Sequence, residues 1–332
     1  MSVDTTTRLV KVMYIAGWGR SGTTIVDNIL NSYDGVFSTG ELFYLWSRGL
    51  LEGRKCGCGV TLPRCALWGD ILDVAFGADR PDPRRVAQLQ RQAIRVRHTP
   101  ALTGPVAGPE AEEYRQVTHR LYGAIAEVTG ARLIIDSSKI PSAAALLPGM
   151  SGVRPYLLHM IRDPRAVTHS WMRTVPQVDR RKPAMMHREA PAASTMHWLI
   201  RNALAERLAG AYDGRYRLLR YEDFVAEPRA TIEGLLDFAG VDAGGGPFLD
   251  DATVRLAVNH TIAGNPGRFR TGEVALRVDD RWRREQTAGP RLTATALALP
   301  LLHRYGYRAR TSRPNRPARG GSPTVPEFSK LS

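Results

Sequence analysis

Cysteine is nearly absent from this 332-residue chain, and its three copies, Cys56, Cys58 and Cys65, crowd into ten positions. So few thiols, so close together, exclude a disulfide framework of the kind that staples small secreted domains. No run of 18 or more apolar residues occurs, which excludes a candidate transmembrane helix. Met1 to Arg8 is polar and lacks the apolar stretch of a secretory signal, so a cytoplasmic location is expected. The eight histidines form no H-x-x-x-H pair, so a catalytic metal is not indicated and none is expected to be required. Basic residues are numerous, yet they form no basic run and do not interleave with aromatics, as a nucleic-acid-binding surface would lead one to expect.

What is present is ordinary for a globular protein: 43% hydrophobic and 23% charged residues, in a length that suits one large α/β domain or two small ones. The net charge of +14 is not ordinary. The stretch from Arg308 to Ser332 holds five Arg, one Lys and one Glu, which supplies +5 of it. The remainder fits a polyanionic small-molecule ligand or nucleic-acid phosphates, and a high arginine count also follows from a GC-rich genome.

The opening reads strand, loop, helix. Val10 to Ala16 is an apolar, β-branched run, Gly17 to Gly22 is a loop, and Thr23 to Leu30 spaces Ile25, Val26, Ile29 and Leu30 as a helix does. Further strands are predicted at 36–39, 132–136, 156–161 and 216–220, with helices near 111–129, 141–147, 164–173, 192–210 and 228–240. This alternation predicts a central parallel sheet flanked by helices, with the notable loops gathered at the C-terminal ends of the strands. Residues 52–110 read as irregular, and 174–192 as a long polar loop suited to a lid. One domain is expected over 8–308, with a variable substrate-side insertion at 52–128. A disordered basic tail is expected at 309–332.

Gly17-x-x-x-x-Gly22-Thr23-Thr24 nearly fits the phosphate-binding pattern G-x-x-x-x-G-K-[ST]. Glycines let backbone N–H groups curl round an anion at a helix N-terminus, and Thr23 and Thr24 add hydroxyl donors. Thr23 stands where the lysine that contacts nucleotide β- and γ-phosphates would be, which argues against a P-loop kinase or NTPase. A plain strand–helix turn is the alternative reading of these glycines.

Gly17-Trp-Gly-Arg20-Ser21-Gly22-Thr23-Thr24 resembles the 5′-phosphosulfate-binding loop of sulfotransferases that use 3′-phosphoadenosine-5′-phosphosulfate (PAPS), and most resembles the tyrosylprotein and carbohydrate types. The resemblance implies a P-loop-NTPase-like sulfotransferase fold in a soluble bacterial form, with no required metal. Met160-Ile-Arg162-Asp-Pro-Arg165-Ala-Val-Thr-His-Ser170, entering a helix from a strand, resembles the family's 3′-phosphate segment, with Arg162 and Ser170 eight residues apart. The other reading is an Arg–Asp surface pair ahead of a helix-starting proline. Glu41, in Ser38-Thr-Gly-Glu41, lies 21 residues after Arg20 and resembles the general base of the tyrosylprotein-type enzymes; otherwise it is a first-turn helix acid. Lys139, in Asp136-Ser137-Ser138-Lys139, resembles the lysine that contacts the bridging oxygen of the donor; otherwise it is solvated beside a serine helix cap.

Tyr221 resembles the aromatic near the adenine, or is core. Asn265, Arg268 and Arg270, in His260-Thr-Ile-Ala-Gly-Asn265-Pro-Gly-Arg268-Phe-Arg270, resemble a late loop closing over the 3′-phosphate, though the sequence departs from the Arg-Lys-Gly form of the cytosolic enzymes. The resemblance covers roughly 10–50 and 130–290.

The expected catalytic residues are Glu41, Lys139 and Arg20. The expected PAPS contacts are Arg20, Ser21, Gly22, Thr23, Thr24, Arg162, Ser170, Tyr221, Asn265 and Arg268. The expected acceptor is a hydroxyl of a glycan, glycolipid or small natural product, with no nucleic-acid partner and no membrane span. The rival readings are a phosphotransferase of the kinase or NTPase type and a basic nucleic-acid-binding protein. Cys56, Cys58 and Cys65 could ligate zinc with a fourth group such as His98, though the spacing is not a standard zinc pattern; ordinary packing and a redox-labile pair are the alternatives. Of the histidines, only His169 is expected near the site.

Overall fold

Val10–Gly17 alternates its side chains between two covered faces, and both halves of the alternation are apolar. Val12, Tyr14 and Ala16 enter one core, while Met13 and Ile15 enter another. A strand buried on both sides belongs in a parallel sheet with helices above and below. The computed structural model describes residues 9–104, 108–242 and 244–308 and builds that architecture around this strand.

The strand, β1 (Val10–Gly17), is followed by α1 (Thr23–Leu30) and β2 (Val36–Gly40). Three helices come next: α2 (Ala66–Phe76), α3 (Pro83–Gln92) and α4 (Pro109–Thr129). Then follow β3 (Leu133–Asp136), the single turn α5 (Pro141–Ala144), β4 (Val153–Ile161), α6 (Pro164–Met172), α7 (Pro191–Leu208) and β5 (Tyr216–Arg220). After α8 (Tyr221–Ala226) and α9 (Pro228–Phe238), two short strands pair antiparallel, β6 (Thr253–Leu256) and β7 (Gly272–Ala275). The helices α10 (Trp282–Glu285) and α11 (Ala288–Arg304) come last.

The main sheet runs in the order β2-β3-β1-β4-β5, with every neighbouring pair parallel. The register brings Gly17 opposite Met160, Gly40 opposite Asp136 and Ile161 opposite Arg220, so the loops after all five strands open at one edge. From β1 the chain passes to β2 on one side of the sheet, and β3 then connects across β1 to β4 on the other; the crevice at such a switch point is where open α/β sheets bind ligands. The fold is α/β, a central parallel sheet flanked by helices in the P-loop-like arrangement.

The sequence reading of 52–110 as irregular needs correction. Trp68, Ile71, Leu72, Ala75 and Phe76 are buried at the i, i+3, i+4, i+7, i+8 positions of α2, and with α3 and α4 they cover the Val12/Tyr14/Ala16 face of β1. Neighbouring prolines, glycines and cysteines had masked that period. α11 went unread because Pro300 interrupts it, and β6 and β7 because four residues carry little alternation. Among the described residues no helix is long and apolar enough to cross a membrane. The tail at 309–332 lies outside the described residues.

Candidate active site

Two clefts meet at the open edge of the sheet. The first, about 540 Å³, is walled by Arg162, Ser170, Tyr221, Arg270, Arg277 and Arg281. The second, about 550 Å³, is walled by Glu41, Lys139 and Arg201, by the rings of Trp18, Tyr44 and Trp171, and by Met185 and Met186. Arg20, Thr23, Thr24 and Asn265 line both and form the partition between them.

The partition is the loop between β1 and α1. Arg20 holds a left-handed φ of 70°, and Gly22 caps α1 at φ 87°. Gly22 is required there, because a Cβ would stand 2.4 Å from Cδ2 of Tyr221. The first N–H groups of a helix have no intrahelical acceptor, so the amides at Thr23 and Thr24, residues that line both clefts, are left without one inside α1. Ser21 Oγ is fully buried without a hydrogen-bond partner, and its side chain lines neither cleft. The Arg20 guanidinium lies 5.0 Å over Trp171; burial lowers its basicity and the charge of Glu41 offsets part of that.

Arg162 leaves the end of β4 and is 6% exposed. It donates to Arg20 O (3.2 Å) and Asp279 O (2.7 Å), lies 4.3 Å over the Tyr221 ring, and keeps Nε buried without a partner. The surface-pair alternative is not what forms. Asp163 caps α6 by accepting from Arg165 N (2.9 Å) and pairs with the Arg165 guanidinium (2.6 Å), not with Arg162. Asp279 is the acid among the arginines of the first cleft. Hydrogen bonds from Arg281, helped by the charge of Arg162, hold it well below the usual carboxylate range. Tyr221 is core and wall at once, 7% exposed, packed with α1 and α9 residues and lining the first cleft.

In the second cleft Glu41 Oε1 lies 2.9 Å from Lys139 Nζ, with Arg48 3.6 Å from the other oxygen. Lys139 is 9% exposed, holds φ 61° and also donates to Ser137 O. Two left-handed non-glycine residues, Arg20 and Lys139, thus flank this cleft, and such backbone is retained where the surroundings enforce it. The helix-cap alternative for Ser137 and Ser138 is replaced by other bonds: Ser137 Oγ donates to Asp27 (3.0 Å) and Ser138 Oγ to Asp136, while Ile140 occupies the cap of α5.

Asp27, inside α1, also accepts from Ser38 Oγ, so one buried carboxylate ties the phosphate-loop helix to the strand ends that carry Glu41 and Lys139. Burial pushes both Asp27 and Asp136 up to about 6, against hydrogen bonds that pull them down.

The long loop at 174–190 folds as a hairpin-like flap, with Gln177 N donating to Ala184 O and Met186 N to Val175 O, and it roofs the second cleft. Some expectations shift. Arg268 lines neither cleft; it is 2% exposed and donates to Thr261 O (2.7 Å) and Lys55 O (2.6 Å), while Arg270 lines the first. The imidazole in the second cleft is His187, not His169. Sequence reasoning missed Trp18, Trp171, Arg201, Arg277 and Arg281. Trp18 and Trp171 stack at 5.2 Å, an aromatic contact between segments with no local signal of it.

The sheet order and the glycine-bearing loop after its first strand give the P-loop-like fold, and the comparisons give the family. A model of the Sulfotransferase family matches residues 66–244, and the chain belongs to that family. It is 25% identical over 331 residues to human carbohydrate sulfotransferase 6, spanning 90% of this chain and 81% of that protein. The sulfotransferase domain from the curacin biosynthetic pathway shares the fold, at 17% identity and a TM-score of 0.51, over 91% of this chain and 99% of that one. The chain is accordingly a sulfotransferase.

Proposed function

We propose that the protein transfers a sulfuryl group from PAPS to a hydroxyl of a glycan, glycolipid or small natural product, releasing adenosine 3′,5′-bisphosphate. The observation that carries this reading is the pair of clefts meeting at Arg20, Thr23, Thr24 and Asn265, one rich in arginine and the other holding the Glu41–Lys139 pair.

The residues fit a doubly phosphorylated nucleotide. The first cleft sets Arg20, Arg162, Arg270, Arg277 and Arg281 around a single acid, Asp279. The buried Arg162 Nε, on the wall of that cleft, has no internal partner, as suits a group held beside an anion site. In this reading the amides and hydroxyls of Thr23 and Thr24 hold the 5′-phosphate, Arg162 and Ser170 hold the 3′-phosphate, and the Tyr221 ring borders the adenine side. PAPS supplies an activated sulfuryl group and a good leaving group.

The chain supplies position and charge. Glu41 accepts the acceptor's proton as its oxygen attacks, and Lys139, already beside Glu41, offers its ammonium to the oxygen that departs. Arg20, on the partition, neutralises charge building between the two. Rings and methionines of the second cleft shed water from an acceptor, and a sugar ring suits the aromatic faces. The human relative is a carbohydrate sulfotransferase, which supports that choice of acceptor.

The test is direct: the protein with radiolabelled PAPS and a panel of hydroxylated glycans and metabolites. Labelled sulfated product is expected. Phosphorylated product from Mg-ATP, with none from PAPS, would overturn the proposal.

A further inference from the structure

Three cysteines line neither cleft and take no part in sulfuryl transfer, yet the fold gathers them around a histidine. Cys58 Sγ lies 3.9 Å from Cys65 Sγ, and His260 Nδ1 lies 3.3 Å from Cys65 Sγ and 3.7 Å from Cys56 Sγ. All four ligand atoms fall within 4.8 Å of one another, and the three cysteines are free. His98 is not the fourth member; its Nδ1 is 2.9 Å from Ala93 O, within its own loop. A tetrahedral zinc ion with Zn–S of about 2.3 Å and Zn–N of about 2.0 Å spaces two sulfurs about 3.8 Å apart and sulfur from nitrogen about 3.6 Å. The Cys58–Cys65, Cys65–His260 and Cys56–His260 separations lie close to those values, and the whole set stays within 4.8 Å.

We propose that Cys56, Cys58, Cys65 and His260, through Nδ1, bind one Zn(II) in a closed structural site. Three thiolates and an imidazole are a soft, zinc-selecting set, and four protein ligands leave no position for substrate or water. Backbone N–H groups of Cys58 and Trp68 point at the Cys56 and Cys65 sulfurs, the kind of outer-shell bond that supports a metal-bound thiolate. Trp68 Nε1 donates to His260 O (2.7 Å) and fixes the backbone of the histidine. Cys56 and Cys65 are buried while Cys58 and His260 are half-buried, which gives a metal a way in. The turn is built for close approach: a Cβ on Gly57 would sit 1.9 Å from Asn259 Oδ1.

The site joins two segments about two hundred residues apart in sequence. The same junction is bridged by Gly57 N donating to Thr261 O (3.0 Å) and by Arg268, which donates to Thr261 O and Lys55 O and pairs with the buried Asp179 at 3.7 Å. Beyond it, Ile262 N donates to Thr39 O and Glu41 N to Ile262 O, and Asn265 reaches the partition. The zinc therefore pins the loop that braces Glu41 and carries Asn265, a positioning role at a distance from the chemistry.

The experiment is metal analysis of the full chain purified under reducing conditions without chelator, together with the same chain stripped of metal and reloaded with Zn(II). One zinc per chain is expected, released stoichiometrically when a mercurial titrates the thiols, and tetrahedral thiolate bands should appear when Co(II) replaces it. Cys65→Ser and His260→Gln should weaken zinc by more than the ~10- to 100-fold typical of an outer-shell loss, and His98→Ala should leave it unchanged. Where a cysteine variant folds poorly, thermal melts of the wild-type chain with and without zinc decide, with a higher Tm expected in the loaded protein. A chain that takes up no metal even on reloading, a stoichiometric iron or copper, a Cys58–Cys65 disulfide in the reduced preparation, or zinc retained by Cys65→Ser would overturn the proposal. Metal content can be read in Glu41→Gln protein, so this result stands or falls apart from the sulfuryl-transfer reading.

Discussion

In the first cleft two cations are tied down: Arg162 is held by two backbone carbonyls and a ring, and Arg281 by Asp279. In the second, the roof is a flap of Val175 to Met186 closed by few backbone bonds, and the walls are tryptophan, tyrosine and methionine. Rigid, charge-matched walls suit one invariant ligand with fixed phosphates, because pre-ordered groups lose little entropy on binding. Methionines and a hairpin-like flap suit ligands that vary in shape. On the proposed function the difference separates donor from acceptor within one site, and substitutions should divide along the same line.

The largest effect falls on the second cleft. Glu41→Gln should lower kcat by about 10²- to 10⁴-fold while adenosine 3′,5′-bisphosphate still binds as in wild type; paired steady-state kinetics and calorimetry check both halves. Comparable loss of nucleotide binding would erase the division between the clefts.

Next come two buried groups beneath the clefts, with opposite pH signatures. Asp27 titrates near 6 in the fold against 3.8 unfolded, so the native state binds more protons between those values. Its ionised form costs stability above about pH 6, by up to about 3 kcal/mol, and wild type should gain on Asp27→Asn as pH falls from about 6 to about 4. His159 is the reverse. Burial lowers it from 6.5 to about 4 while it bonds Tyr216 Oη (2.9 Å) and Asn202 Oδ1 (2.8 Å). Its contribution is complete above about pH 6.5 and fades as pH falls through about 4, so wild type should lose ground on His159→Gln over that window, again by up to about 3 kcal/mol. Urea midpoints across the range measure both. Because Asp27 bonds the strand ends leading to Glu41 and Lys139, Asp27→Asn should impair both clefts, whereas His159→Gln should alter stability alone.

The smallest effect is on the flap. Met185→Ala should raise the acceptor KM only a few-fold, about 1 kcal/mol, and leave nucleotide affinity unchanged in the same calorimetric assay.

Much of the first cleft and its partition was legible in the sequence because its signals are local. Gly17 to Thr24 specify a turn and a helix start, and Arg162 to Ser170 a strand exit and a helix. Glu41 and Lys139 likewise sit directly after β2 and β3. What escaped is long-range. His260 meets Cys65 across 195 residues, Trp171 stacks on Trp18 through tertiary packing, and of Arg268 and Arg270, both expected at the loop, only Arg270 lines the cleft, because buried bonds to Lys55 O and Thr261 O turn Arg268 inward. The helical period of α2 was readable in residues 68–76 but was overruled by the breakers around it.

The central claim is that one nucleotide spans the partition with its 3′-phosphate at Arg162. Titration calorimetry of wild type and Arg162→Ala with adenosine 3′,5′-bisphosphate and with adenosine 5′-monophosphate tests it most directly. The account predicts a loss of about 10- to 100-fold for the bisphosphate, the worth of one charge-assisted hydrogen-bonding group, and little change for the monophosphate. Equal weakening of both, or no binding of the bisphosphate by wild type, would contradict it.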